Sequence, residues 1–143
     1  MDVIQILSDN GCGFKLQICG ALHDTIEDCN ISYNDIKDYF GEDVAEIVYC
    51  VTDELGRNRT ERKAKTLPKI ASNSDAVIVK LADRIANIKH GGKVDMYVKE
   101  YSQFRDALKQ PDKMVEPLWD ELDSIMGYNI AVNVLTLAEE SLK

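Results

Sequence analysis

The sequence predicts an all-α fold, a single helical bundle over residues 1–143. Apolar residues recur at three- and four-residue spacing along nearly the whole chain, and sustained strict alternation is hard to find. Punctuation is sparse, with three prolines and eight glycines and neither a low-complexity linker nor an internal repeat. A length of 143 residues is one domain's worth, and 45% hydrophobic residues can fill one core without disulfides.

The first helix is a stub carrying Val3, Ile4, Ile6 and Leu7, closed by the turn Asn10-Gly11-Cys12-Gly13. From about Phe14 a second helix turns Leu16, Ile18, Cys19 and Leu22 inward and ends between Thr25 and Asp28. A loop at Asn30 leads to a short helix with Ile36, Tyr39 and Phe40, stopped by Gly41. Val44, Ile47, Val48 and Val51 mark the next helix. The polar run Leu55-Gly56-Arg57-Asn58-Arg59 then feeds a basic helix expected to fray near Pro68. Residues from about Ala76 to His90 form a helix that is apolar on several sides and ends at Gly91-Gly92. Val94, Tyr97, Tyr101, Phe104 and Leu108 share one face of the helix after it. Pro111 falls in the following break or at a helix start, and Val115, Leu118, Leu122 and Ile125 continue the pattern. Gly127 is expected to separate a last helix carrying Ile130, Val134, Leu137 and Leu142.

Charge narrows the function. Seventeen Lys+Arg against 25 Asp+Glu give a net charge of −8, which repels phosphate backbones, so no nucleic-acid partner is expected. No apolar run approaches the ~20 residues that cross a bilayer, and no basic-then-apolar leader opens the chain, so no membrane partner is expected either. Cys12, Cys19, Cys29 and Cys50 form no C-x-x-C pair and no zinc-ligand spacing; they read as reduced thiols of a cytoplasmic protein. One segment runs against the acidic background. Arg57, Arg59, Arg62, Lys63 and Lys65 outnumber Glu61, and such a cluster either focuses a small polyanion or is an ordinary solvated face.

Two segments carry chemistry. In Ala21-Leu22-His23-Asp24-Thr25-Ile26-Glu27-Asp28, the neighbouring His and Asp can share one metal if the helix end is distorted, and Glu27 and Asp28 follow them at helical spacing. So many carboxylates beside an imidazole against an apolar helix are costly without a cation; the plain alternative is a helix end with solvated acids. In Val77-Ile78-Val79-Lys80-Leu81-Ala82-Asp83-Arg84-Ile85-Ala86-Asn87-Ile88, the residues Lys80, Asp83 and Asn87 form one polar stripe on a largely apolar helix. That stripe needs partners: a metal shared with His23 and Asp24, a structural hydrogen-bond network, or water.

Taken together, His23-Asp24 and the distant Asp83 within Leu81-Ala82-Asp83-Arg84 resemble the HD superfamily of metal-dependent phosphohydrolases. The finer similarity is to its (p)ppGpp-hydrolase branch, the RelA/SpoT-type domains and their small stand-alone relatives. It rests on the string at 21–28, Phe40-Gly41 followed by Val44, Ile47, Val48 and Val51-Thr52, Glu61-Arg62-Lys63, and Val79 to Arg84 with Asn87. It covers roughly residues 1–90 as the core motif region, with the C-terminal helices, 93–143, matching more weakly. The resemblance implies a divalent metal, Mn²⁺ before others, on His23, Asp24 and Asp83, generating a hydroxide nucleophile. It implies that Glu27 and Asp28 orient water and handle protons, and that Asn87 hydrogen-bonds nucleophile or substrate. Lys80, Arg84, Arg59, Arg62 and Lys63 would contact phosphate. The implied reaction is hydrolysis of the 3′-pyrophosphate of a guanosine nucleotide, a small-molecule partner.

One family feature has no counterpart. The family motif opens with an earlier His, and neither His23 nor His90 matches it. Val3-Ile4-Gln5-Ile6-Leu7 matches the pattern just downstream of that His, so its position is expected at or just before the start of this chain. The chain would then be N-terminally truncated relative to the family, or a degenerate relative, or Asp2 would stand in. His90 lies seven residues past Asp83, ~10 Å along a regular helix, too far to share its ion. Two rival functions follow: an HD phosphohydrolase of another nucleotide, and an inactive HD domain that binds a nucleotide or protein. The acidic surface and the helix from Ile130 to Leu142 would suit a homo-oligomer, and a monomer's core would explain that helix equally well.

Overall fold

A computed structural model of the chain describes residues 2–109 and 115–142, and these form nine helices with no strand among the described residues. In order they are α1 (Asp2–Asp9), α2 (Phe14–Leu22), α3 (Thr25–Asp28), α4 (Tyr33–Phe40), α5 (Glu42–Val51), α6 (Arg59–Ala71), α7 (Ser74–Lys89), α8 (Val94–Leu108) and α9 (Glu116–Ser141). Pro111 lies outside the described residues, as does the Asp2 side chain.

Helix starts are written in short polar side chains. Ser32 and Asp35 close a reciprocal capping box on α4. Asn58 accepts from the Glu61 N–H at 2.9 Å to cap α6, and Asn73 accepts from the Ala76 N–H at 3.1 Å to cap α7. Gly41, at φ +95°, ends α4 and starts α5 within one residue, a backbone setting that side chains resist.

Helix α7 is the axis of the bundle and packs against α1, α2, α5, α6, α8 and α9. Eleven of its sixteen residues are buried, so it has no solvent face on which to place Asp83 and Arg84. Leu81, Ala82 and Ile85 are fully enclosed, and from the far side Leu118, Trp119 and Leu122 of α9 fill the core. Trp119 stands edge-on to Phe104 of α8 with ring centroids 6.1 Å apart.

Two helix ends differ from the sequence expectation. Helix α6 runs through Pro68 to Ala71, because Thr66, Leu67 and Ile70 are buried on both sides of the proline and hold the last turn in place. Helix α9 runs through Gly127, which lacks neighbours that would break it; a helix glycine costs only about 1 kcal/mol, less than propagation returns behind the anchored Leu118–Met126 stretch. Its second half is not covered by this chain's core: Val134 is 59% and Leu137 65% exposed. Among the described residues, no helix is long and apolar enough to cross a membrane. The four cysteines are free, and Cys12, Cys19 and Cys50 are buried.

Gly20 sets the spacing of α1 and α2. A Cβ there would stand 2.8 Å from Leu7 Cδ1 and 3.1 Å from Val3 Cγ1, both buried. Gly20→Val is expected to destabilise the protein by about 2 kcal/mol through overpacking, measured as a lower urea midpoint at unchanged m-value.

Candidate active site

Helices α2 and α3 are one helical run broken at His23 and Asp24. His23 follows the last residue of α2, and Asp24, at φ −103° and ψ 0°, precedes α3. The Thr25 hydroxyl donates to the Leu22 carbonyl at 2.7 Å, replacing part of the interrupted ladder. The break lets two adjacent side chains turn the same way, which an unbroken helix forbids.

The imidazole is fixed at both nitrogens. Nδ1–H donates to the Gly20 carbonyl at 2.6 Å. Nε2 then faces Asp24 Oδ2 at 3.0 Å and Asp83 Oδ1 at 3.2 Å. The structure thus brings the two distant motifs together. Burial works against a charged imidazole, yet its hydrogen bonds to the carboxylates of Asp24 and Asp83 outweigh it and push the His23 pKa up to about 10. Burial likewise opposes the Asp83 charge, and His23 and Lys80 hold that carboxyl far below its usual range. Lys80 Nζ lies 3.4 Å from Asp83 Oδ2, and Asn87 Nδ2 donates to Asp83 Oδ1 at 3.3 Å. The stripe of Lys80, Asp83 and Asn87 is therefore a hydrogen-bonded unit centred on the aspartate.

This cluster forms a wall between two cavities. The inner one, about 50 Å³, is enclosed by His23, Asp24, Glu27, Val51, Asp53, Val79, Lys80 and Asp83, room for an ion or a few waters. The outer one, about 260 Å³, is bounded by Val3, Ala86, Asn87 and His90 together with His23, Asp24 and Asp83. Glu27 accepts from the Asp53 N–H at 2.7 Å, which ties α3 to the end of α5. Lys63 Nζ donates to Asp53 Oδ1 at 2.8 Å. Burial would raise Asp53, but Lys63, Lys80 and Arg59 around it hold it low. Lys63 is lowered, first by burial and then by the neighbouring Lys80, with its bond to Asp53 working the other way.

Other expected residues stand elsewhere. Asp28 is exposed, lines neither cavity, and joins the cluster only through its N–H bond to the Asp24 carbonyl at 2.8 Å. Arg59 makes two hydrogen bonds to Glu100, at 2.6 and 2.9 Å, and lines neither cavity. Arg62 is half-buried and also lines neither. Arg84 turns toward α8. The basic segment is thus no plain solvated face, since Arg57, Arg59 and Lys63 are each paired with a carboxylate. Asp53 and Glu100, which stand beside the site, carry no signal in the sequence, and His90, set aside there as too far to share an ion with Asp83, lines the outer cavity. Asp53 follows a helix end with no periodic signal. His90 shares the outer cavity although it stands at the end of α7, and Glu100 is marked only by a partner forty-one residues away.

The donor chemistry at His23, Asp24 and Asp83 suits a first-row divalent cation: one imidazole nitrogen whose other nitrogen is anchored on a carbonyl, and two carboxylates. As they stand, these side chains contact one another directly, and no three His, Cys, Asp or Glu among the described residues form a metal-holding group.

The fold and this cluster define a class. A family model described as HD domain matches residues 1–103. The Xenopus tropicalis protein named guanosine-3′,5′-bis(diphosphate) 3′-pyrophosphohydrolase MESH1 is 34% identical over 92% of this chain and 80% of its own length. This chain belongs to the HD-domain family and has the helical fold of its hydrolases. The Drosophila melanogaster protein of the same name is also 34% identical, over 62% of this chain and 51% of its own. An Aquifex aeolicus guanosine-3′,5′-bis(diphosphate) 3′-pyrophosphohydrolase is 33% identical over 62% of this chain, which spans only 13% of that relative's length. Among solved structures, a metazoan orthologue of SpoT that hydrolyses ppGpp superposes with a TM-score of 0.72 at 26% identity, over 90% of this chain and 78% of its own. A 1.85 Å crystal structure from Listeria monocytogenes EGD-e, 23% identical, shares the fold at a TM-score of 0.74 over 89% of this chain and 92% of its own.

The Arg59–Glu100 pair clamps α6 to α8 beside the site. Burial would raise Glu100, but the two hydrogen bonds from Arg59 hold it below its ordinary 4.5. A lowered folded pKa means that this stabilisation is present above about pH 4.5 and is lost as pH falls through the folded value. Glu100→Gln is expected to cost about 1–2 kcal/mol at pH 7, with the gap to wild type closing toward pH 3 in urea titrations.

Proposed function

We propose that this chain hydrolyses the 3′-pyrophosphate of (p)ppGpp or a close guanosine-nucleotide analogue, with a divalent metal, Mn²⁺ before others. The observation that carries this reading is the His23 ring: one nitrogen is anchored on Gly20, and the other is aimed at two carboxylates from separate helices. The names of the relatives supply the substrate class. His23, Asp24 and Asp83 would hold the metal, which when bound supplies Lewis acidity to water and to a phosphoryl oxygen.

The chain's own residues do the rest. Glu27, on the inner cavity, orients the attacking water and accepts its proton, and Asp28, one residue on, is assigned to the same proton traffic. Water oxygen bonds to phosphorus, the bond from phosphorus to the ribose 3′ oxygen breaks, and that oxygen regains a proton. The products are pyrophosphate and guanosine 5′-diphosphate, or the 5′-triphosphate from pppGpp. Asn87 holds the Asp83 carboxylate and reaches the outer cavity, where it would hydrogen-bond the nucleotide. Lys80, whose side chain is only 13% exposed, places its charge beside the breaking bond. Arg59 and Lys63 are engaged by Glu100 and Asp53, so with Arg62 they bias the local field toward a polyanion. Free thiols are in keeping with a cytoplasmic setting.

Purified protein is expected to release pyrophosphate from ppGpp with Mn²⁺, to stop on chelation, and to recover on adding metal. Asp83→Ala is expected to lower turnover by at least about 100-fold. Near-normal turnover in that variant would overturn the site assignment. Turnover confined to nucleotides lacking a 3′-pyrophosphate would move the substrate to another nucleotide, and silence with every metal would leave a binding domain.

A further inference from the structure

The segment 52–55 that leaves α5 has no regular secondary structure, yet side chains of α6 hold it along its whole length. Lys63 donates to Asp53 Oδ1 at 2.8 Å, the Glu54 N–H donates to the Thr66 hydroxyl at 2.9 Å, and Lys65 donates to the Leu55 carbonyl at 3.0 Å. Lys69 Nζ donates to the Thr52 carbonyl at 2.7 Å and to Glu54 Oε1 at 3.1 Å. The same ammonium stands 4.2 Å from the Tyr49 ring centroid, and the Lys69 side chain is only 13% exposed, so it is held in place from several sides. A Cβ on Gly56, the next residue, would stand 2.9 Å from the Arg62 nitrogen, so the segment is laid closely onto α6.

One peptide unit of this segment faces the cluster. The Thr52 carbonyl and the Asp53 N–H share a trans peptide plane, in which they point in opposite directions. Lys69 takes the carbonyl end, and the N–H end donates to Glu27 Oε1 at 2.7 Å. Glu27 itself is exposed and stands on a helix of 4 residues, so its own backbone does little to fix its carboxylate. We infer that Lys69 is a positioning residue for the hydrolysis: through the Thr52–Asp53 peptide it aims a backbone donor at Glu27 and holds that carboxylate at the inner cavity. Lys69 lines neither cavity and acts in two ways. It fixes the rotation of the peptide plane, and its charge on the carbonyl polarises the plane and strengthens the N–H as a donor. Thr66 steadies the next peptide: its buried hydroxyl donates to the Arg62 carbonyl at 2.7 Å, which leaves its oxygen to accept from Glu54. The inference rests on the hydrolase reading for what Glu27 does, and on these contacts for how Glu27 is held.

Two measurements on the intact protein test this. In EDTA, amide hydrogen exchange at Asp53 is expected to quicken at least about tenfold in Lys69→Met and in Glu27→Ala, with the core amides of α7 unchanged. Lys69→Arg keeps a cation on the carbonyl and is expected to preserve most of the protection. Glu27→Ala, at an exposed position, keeps the test open should Lys69→Met fail to fold. With ppGpp and Mn²⁺, Lys69→Met is expected to lower kcat at least about tenfold, with KM and Mn²⁺ affinity within about twofold of wild type, and Lys69→Arg to recover most of the loss. In a Glu27→Ala background, Lys69→Met is expected to cost nothing more, because both changes remove the same contact. A lysine that merely stabilises the fold would instead quicken exchange throughout the core and act equally in both backgrounds, and either result overturns the inference. So does Asp53 exchange that ignores both Lys69→Met and Glu27→Ala, or an unchanged kcat in Lys69→Met. If the wild type is silent on ppGpp with every metal, the hydrolase reading fails by itself, and Asp53 exchange alone then decides whether Lys69 positions Glu27.

Discussion

Asp83 is a carboxylate held on a helix that has no solvent face, and the chemistry of this molecule follows from how that charge is answered. Three side chains from two elements do so: His23 across the α2–α7 contact, and Lys80 and Asn87 from the turns on either side of it. A buried carboxylate without such company would be strongly destabilising. The same burial that makes the site costly makes it well defined, because Lys80 and Asn87 sit on the packed helix α7 and the His23 ring is anchored on the Gly20 carbonyl.

Helix α7 distributes its polar residues by rotation. Asp83 faces α2, and Arg84, one residue on, faces α8. The two charges leave the helix about 100° apart and are solved differently, one by hydrogen bonds and the other by aromatic faces. Around them, Arg59 with Glu100 and Lys63 with Asp53 join α6 to α8 and to the end of α5. An acidic protein thus gathers paired cations beside the His23–Asp83 cluster.

Much of this was legible in the residues. The apolar spacing pointed to the helical class, and the resemblance carried by the His-Asp pair and the distant Asp implied that the two motifs meet; burial alone did not require it, since the Asp24 side chain is 59% exposed. Neither Pro68 nor Gly127 ends its helix, because local propensity is weak: buried Leu67 and Ile70 flank Pro68, and α9 propagates past Gly127 from its anchored Leu118–Met126 stretch. The basic segment was legible as a charge excess but not as a set of pairs, since Glu100 and Asp53 reach it from other elements. Asp28 shows the limit of spacing: it follows Asp24 by four residues and bonds its carbonyl in helical register, yet its side chain is exposed and lines neither cavity.

Gly20 plays two parts at once. Its missing side chain admits Leu7 and Val3, and its carbonyl is the acceptor that orients the His23 ring. Packing and proton affinity are therefore joined at a single peptide unit. Remodelling of the seam between the first two helices, even with purely aliphatic exchanges, would tilt that carbonyl and retune the imidazole without touching any polar residue.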